Sequence, residues 1–164
     1  MKIQDIQKIV SNYTKNTFNS FVVDKDLLMQ DVNQKKYARR KYNKHIRENV
    51  EKKYGVYIWE NNENKEIIYI GMAGKIKQNG NLGDHTIDDR LMNSREQIFK
   101  NGKKTDIPTG EYLLDKMNLL KFSKVNFYII YLDTSTLPPT YMESVLLYEY
   151  LKIKKQLPIL NNSF

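Results

Sequence analysis

Three short runs of β-branched and aromatic residues constrain the fold of this 164-residue chain more than any other feature. They are YGVYIW at residues 54–59, IIYI at 67–70 and VNFYIIYL at 125–132. Such residues favour strands, and the polar segment 61–65 between the first two runs is typical of a hairpin turn. Because helical patterns fill much of the rest of the chain, we predict a small sheet flanked by helices.

Helices are predicted on either side of these strands. Residues 24–32 show a short helical pattern, and a capping-box sequence, TIDD, opens a second helix over residues 86–99. A third helix is expected after Pro108, because apolar residues recur there at core-like spacing, and an apolar fourth helix covers residues 140–155 until Pro158 ends it.

The positive charge of the chain is concentrated near its beginning. Of the formal charge of +8, residues 1–53 carry +7 and residues 54–164 only +1. Residues 35–47 hold seven Lys and Arg and no acid, and apolar residues recur there at every fourth position, at Ala38, Tyr42, Ile46 and Val50. This spacing predicts a helix with one apolar stripe, which either is a solvated surface helix or contacts phosphates. The candidate phosphate contacts, including one lysine of a later loop, are Lys35, Lys36, Arg39, Arg40, Lys41, Lys44, Arg47 and Lys75.

The scarcity of cysteine and histidine excludes several classes of protein. The chain has no cysteine, which rules out a disulfide-stapled scaffold, a thiolate nucleophile and cysteine-ligated zinc, and two histidines are too few for an all-histidine metal site. No glycine-rich nucleotide loop occurs, so no adenine-nucleotide cofactor is implied. No apolar run reaches the roughly 18 residues of a membrane span, and the beginning of the chain lacks the apolar core of a signal peptide. We therefore expect a cytoplasmic protein without a membrane partner.

A series of short motifs begins on the predicted hairpin and continues to the end of the chain. In order, these are GVY at 55–57, YIG at 69–71, GMA at 71–73, IDDRL at 87–91, Glu149, and PILN at 158–161. Over residues 54–162 this order resembles the GIY-YIG nuclease family. The resemblance implies an α/β (α+β) fold with a three-stranded antiparallel sheet flanked by helices, and an activity that hydrolyses phosphodiester bonds.

Phosphodiester hydrolysis needs an activated water, a cation against the phosphoryl oxygens and help for the leaving oxygen. The resemblance implies Tyr57 as general base and Tyr69 as the group that orients water or phosphate, and these two roles could be exchanged. It implies Arg90 as the contact to a nonbridging phosphate oxygen. The ordinary alternatives are half-buried strand tyrosines and a surface arginine paired with a neighbouring aspartate.

The resemblance also implies one carboxylate that holds a divalent ion, Mg²⁺ or Mn²⁺. Glu149 has the family spacing to Pro158, and Glu143 on the same predicted helix competes for the role. The two lie on well-separated faces of that helix, so they cannot share one ion. Asn161 would tie the C-terminal segment to the site through hydrogen bonds, or it could be a plain turn asparagine.

The chain departs from the family at two positions. Ser94 stands where many members have His or Tyr, and Met72 stands where some have Lys. His85 at the predicted helix entrance and Lys75 in the glycine-containing loop could take over the missing function, so His85 is a candidate catalytic residue. His45, inside the basic segment, is expected to be a surface residue or a phosphate contact.

Together these features predict a metal-dependent endonuclease that cuts duplex DNA at specific sites, of the restriction or phage type. Residues 1–53 would be a basic helical region that binds the DNA backbone, and residues 54–164 the nuclease domain. Cutting both strands favours a homodimer. Two alternatives remain open: a DNA-binding protein with a decayed site, and a repair or RNA-directed nuclease.

Overall fold

The computed structural model describes residues 1–15, 18–29, 35–100 and 103–162, except the side chains of 35–40, 94–100 and 103–105. Its centre is an antiparallel sheet of four strands in the order β1, β6, β2, β3. These strands are β1 Phe18–Asp24, β2 Gly55–Asn61, β3 Ile67–Ala73 and β6 Lys124–Tyr131. A separate two-stranded hairpin consists of β4 Ser94–Lys100 and β5 Lys103–Pro108.

Six helices surround the sheet in the described part of the chain. They are α1 Ile3–Ser11, α2 Lys25–Leu28, α3 Lys35–Asn49, α4 Ile87–Met92, α5 Thr109–Leu119 and α6 Pro139–Lys154. The hairpin of β2 and β3, the strand β6 and the helices α3, α5 and α6 confirm the predictions from sequence. None of the described helices is long and apolar enough to cross a membrane.

The prediction of a three-stranded sheet was wrong, because the N-terminal region contributes a fourth strand. β1 pairs with β6 from Phe18 opposite Ile130 to Asp24 opposite Lys124. Within β1 only Phe21 and Val23 are buried, and the polar residues Asn19 and Ser20 before them hid the strand pattern. Residues 1–53 are therefore not purely helical.

The helix predicted over residues 86–99 is also wrong in its second half. α4 begins with the expected capping box at Thr86 but ends at Met92, where Asn93 turns to an extended conformation. Residues 94–100 instead form β4 and pair with β5. The sequence between these strands is Asn101-Gly102, a dipeptide that favours two-residue hairpin turns. The short helix α2 is likewise shorter than predicted, and residues 30–34 lie outside the described part of the chain.

Each face of the sheet supports its own hydrophobic core. We call one the front face, defined by Tyr57, Trp59, Phe127 and Ile129; it packs against α3, α4 and α5. The other is the back face, defined by Val56, Ile58, Ile70 and Ile130; it packs against α1 and α6. The N-terminal region contributes to both cores, since α1 lies behind the sheet and α3 in front of it.

Candidate active site

The two motif tyrosines lie on the front face and meet at a glycine. Tyr57 on β2 pairs directly with Gly71 on β3, and the rings of Tyr57 and Tyr69 are 5.9 Å apart at 29°. A Cβ atom on Gly71 would lie 2.7 Å from Tyr69 Oη and 2.9 Å from Tyr57 Cζ. Both phenol rings therefore use the space that a side chain at position 71 would fill.

A β-bulge explains why Tyr69 faces the front of the sheet. The register places Trp59 opposite Tyr69 but Glu60 opposite Ile67, so Ile68 is the extra residue on β3. Ile68 and Tyr69 both pack with the front core, whereas Ile70 packs with the back core. Bulges of this kind redirect a side chain without ending the strand.

The two tyrosines differ in their access to solvent. Tyr57 is 1% exposed and lies beside Trp59, while Tyr69 is only partly buried. The centre of the Trp59 ring lies 4.9 Å from that of the Tyr69 ring, so Trp59 packs against Tyr69 within the front core. Of the two, Tyr69 is therefore the one that water reaches more easily.

Arg90 lies on α4, a helix that covers the front face through buried Ile87 and Leu91. Ile87 N donates to Lys53 O at 2.9 Å, which fixes the start of this helix. Among the described side chains no ion pair joins Arg90 to a carboxylate. Its guanidinium is exposed and available to an anion.

Asn161 binds the edge of β3 between the bulge and the second motif glycine. Its Nδ2 donates to Ile70 O at 2.7 Å, and Ile70 N donates to its Oδ1 at 3.0 Å. Leu160 N adds a bond to Ile68 O at 2.9 Å. These bonds tie the C-terminal segment to β3, and the role of Asn161 at a catalytic site stays a prediction.

The glutamates of α6 lie on a helix whose buried residues pack on the back face. Glu149 is paired with Lys152, whose Nζ lies 2.9 Å from its Oε1, and its side chain is 30% exposed. Glu149 also lies close enough to Tyr13 to contribute to a raised pKa of that phenol, after the larger effects of Tyr141 and of burial.

Two contacts fix how α6 runs along β3. At one end a Cβ on Gly74 would lie 3.1 Å from Pro139 Cγ, and at the other Tyr150 Oη donates to Ile67 O at 3.2 Å. Interpolation between these contacts puts Gly71 level with about residue 144 of α6. Along β3, Glu143 is thus nearer to Gly71 than Glu149 is, although α6 packs on the opposite face of the sheet from the tyrosine rings.

The loop between β3 and α4 carries the two candidates for the missing family group. Lys75 and His85 are both exposed. The loop is folded back on itself, since Gly83 N donates to Lys75 O at 2.7 Å and the Lys77 ammonium pairs with Asp84 at 2.9 Å. Of the two departures from the family, Met72 is partly buried on the back face, and the Ser94 side chain lies outside the described residues.

The basic helix α3 presents part of its charge to solvent. Lys41, Lys44 and Arg47 are exposed, while Tyr42, Ile46 and Val50 of the predicted stripe are buried in the front core. The side chains of Lys35, Lys36, Ala38, Arg39 and Arg40 lie outside the described residues.

Two side chains on α3 hold the helix in place. Tyr42 Oη donates to Leu91 O at 3.1 Å, which joins α3 to the helix of Arg90. His45 Nε2 lies 2.9 Å from Val22 O, so this histidine contacts β1.

No three metal-binding side chains of the described residues gather into one group. A single carboxylate ligand, completed by water and phosphate, is what the family resemblance implies, and it stays a prediction; carboxylate oxygens suit Mg²⁺. The ion pair of Glu149 with Lys152 is not a strong obstacle, because exposed pairs contribute little.

Comparisons with protein-family models, with curated proteins and with solved structures found no match to this chain.

Proposed function

We propose that this protein is a metal-dependent endonuclease acting on duplex DNA. The observation that carries the proposal is the convergence of Tyr57 and Tyr69 over Gly71, on the face that also carries the helix of Arg90. The paired tyrosines would supply proton transfer, and the exposed arginine of a helix on the same face would bind phosphate. A site-specific enzyme of the restriction or phage type, working as a homodimer, is the form of this proposal that we favour.

In this proposal the more accessible Tyr69 contacts the attacking water. The buried Tyr57 packs against the Tyr69 ring and keeps it in position. This exchanges the first assignment from the sequence, in which Tyr57 was the base. Arg90 would bind a nonbridging oxygen of the scissile phosphate and offset the charge that develops there. Asn161 would keep β3, and thus Tyr69, in register with β2.

The metal ion would supply charge neutralisation and a polarised water when bound. Its protein ligand is one of the two glutamates of α6. Spacing in the sequence favours Glu149, and position along β3 favours Glu143. We place the ion at Glu143; in this proposal its carboxylate reaches the tyrosines around β3, the edge strand of the sheet, because α6 packs on the back face and the tyrosines lie on the front.

The exposed charges of α3 would contact the DNA backbone. Tyr42 joins α3 to α4, so a duplex lying along Lys41, Lys44 and Arg47 would be held by the same unit that carries Arg90. Lysine and arginine contacts to phosphate give affinity without sequence preference.

Nicking of supercoiled DNA in Mg²⁺ or Mn²⁺ tests the proposal. Tyr69→Phe should slow nicking by about 10²- to 10⁴-fold if the lost phenol transfers a proton, and Tyr57→Phe, which keeps the ring that packs on Tyr69, should slow it less. Tyr148→Phe is the matched control, because Tyr148 is an exposed tyrosine of α6 and should leave the rate unchanged.

Three outcomes would contradict the proposal. Wild-type protein that binds DNA but never nicks it, across several DNAs and both metals, would point to a decayed site. Equal rates for wild type and both active-site variants would exclude the tyrosines. Displacement of duplex DNA by equimolar RNA would favour an RNA-directed protein.

A further inference from the structure

A cavity lies on the back face of the sheet, away from the tyrosine pair. Its volume is about 430 Å³, and its lining residues are Lys2, Ile3, Gln4, Glu60, Lys65 and Tyr128. This volume falls in the range of small-molecule sites, roughly 300–1,000 Å³. The cavity is bounded by the beginning of α1, the end of β2 with the turn that follows it, and the middle of β6.

A buried carboxylate forms the inner wall of this cavity. Glu60 is 2% exposed, and its Oε1 accepts hydrogen bonds from Asn126 Nδ2 at 2.8 Å and Tyr128 Oη at 3.2 Å. No described residue donates to its Oε2 or forms an ion pair with it. Because Oε1 already has its donors and Glu60 lines the cavity, Oε2 is the oxygen suited to an N–H donor from outside the chain.

Two lysines mark the outer part of the cavity. Lys2 lies directly before α1, and its Nζ donates to Asn64 O at 3.3 Å. Lys65 sits in the turn between β2 and β3 with φ of 58°, where its N donates to Asn61 O at 2.9 Å. Both lysines line the cavity and contribute positive charge to it.

The cavity therefore has an acceptor inside and positive charge outside. A ligand that fits both ends carries an N–H donor at one end and an anionic group at the other. The Tyr128 ring, which is partly buried, offers a surface for a flat ring between these ends. Burial, and then the charge of Glu60, raise the pKa of Tyr128, so its hydroxyl stays a donor to that carboxylate.

We propose that this cavity binds a nucleoside monophosphate whose base carries an exocyclic amino group. The amino group would donate to Glu60 Oε2, the base would lie against Tyr128, and the phosphate would bind Lys2 and Lys65. The nucleotide is either free or the 5′-terminal residue of a strand. The site is separate from the proposed nuclease centre and needs neither metal nor cleavage.

Binding of guanosine monophosphate (GMP) in buffer without metal tests this proposal. Calorimetry is the readout, because Trp59, the only tryptophan, is buried on the opposite face of the sheet. We expect Glu60→Gln to weaken binding by about tenfold or more, as the loss of a hydrogen bond to a charged group does. A 5′-phosphorylated oligonucleotide beginning with guanine, compared with its unphosphorylated form, distinguishes a strand end from a free nucleotide.

Lys65→Asn keeps the test decisive if Glu60→Gln fails to fold, because asparagine tolerates the positive φ. Lys121→Asn is the matched control: it is also an exposed lysine with positive φ, at 57°, and it lies outside the cavity. Lys65→Asn should weaken GMP binding, and Lys121→Asn should not.

The proposal is overturned if GMP does not bind, or if it binds equally to wild type, Glu60→Gln and Lys65→Asn. Inorganic phosphate that binds as tightly as GMP would show that the base is not recognised. Arginine that binds more tightly than GMP would assign the cavity to a cationic ligand instead. None of these results depends on whether the protein cuts DNA.

Discussion

Asn161 satisfies both backbone polar groups of Ile70, as a neighbouring strand would. The two hydrogen bonds, of 2.7 and 3.0 Å, lie on the edge of β3 next to Tyr69. An unpaired strand edge leaves donors and acceptors without partners, and here one side chain replaces them. The residue is therefore structural as well as part of the proposed site.

Asn161→Ala should lower the free energy of unfolding by about 1–3 kcal/mol, because both partly buried groups of Ile70 lose their partner. Urea denaturation measures the change. Asn162→Ala, at the exposed neighbouring position, is the control and should stay close to wild type. Equal stability of the two variants would mean that water replaces these bonds without cost.

Gly71→Ala should destabilise the protein by about 1–3 kcal/mol, since the added Cβ would lie 2.5 Å from Tyr69 Cε1. The double variant Gly71→Ala with Tyr69→Ala should cost less than the sum of the two single changes, because it removes the clash. Strict additivity in thermal or chemical denaturation would contradict this packing.

Glu143→Gln should abolish nicking while leaving DNA binding nearly unchanged, because it removes the proposed metal ligand and keeps the side-chain shape. Glu149→Gln should lose only its exposed pair with Lys152 and retain activity. Nicking and electrophoretic mobility shift, measured side by side, separate catalysis from binding. Inactivity of Glu149→Gln alone would restore the assignment from sequence spacing.

Replacing Lys41, Lys44 and Arg47 together by Gln should weaken DNA binding and flatten its dependence on salt. Each lost phosphate contact should reduce the slope of log K against log salt by about 0.9. Titrations at several salt concentrations measure it.

The control for that variant removes three exposed lysines from other surfaces, Lys8, Lys124 and Lys154. It has the same net charge as the α3 variant. If the slope of log K against log salt falls equally in both variants, DNA binding depends on the overall charge of the protein and not on α3.

Stability should fall at alkaline pH partly through Tyr150. Burial, and then the charge of Glu66, raise the pKa of this phenol, which donates to Ile67 O at 3.2 Å. The folded state therefore favours the neutral phenol, and its contribution is complete below pH of about 10 and lost as pH rises through the folded-state pKa. The measurement is the unfolding free energy at pH 9 and at pH 11, about one unit on either side of the ordinary tyrosine pKa. It should fall less over this range in Tyr150→Phe than in wild type. Tyr148→Phe, which changes an exposed tyrosine, is the control.

Strong local patterns made part of this structure predictable from sequence. The hairpin that carries Tyr57 and Tyr69 follows from dense β-branched and aromatic residues, and the buried stripe of Tyr42, Ile46 and Val50 follows from four-residue spacing. The bond of Asn161 to β3 was expected from the resemblance alone.

Other features depend on tertiary contacts that local patterns do not record. β1 buries only two of its residues firmly and becomes a strand because β6 pairs with it. The bulge at Ile68, which turns Tyr69 to the front, depends on the register between two strands. The position of Glu143 along β3, relative to Gly71, depends on how α6 packs along the sheet.

The order of the strands also bears on when the protein can fold. β6 lies between β1 and β2, and Phe18 has to find Ile130, more than a hundred residues later in the chain. Such distant pairing slows folding, because a long loop closes before its contacts form. During synthesis, β1 and the hairpin of β2 and β3 therefore cannot form one sheet until β6 has left the ribosome and paired with both.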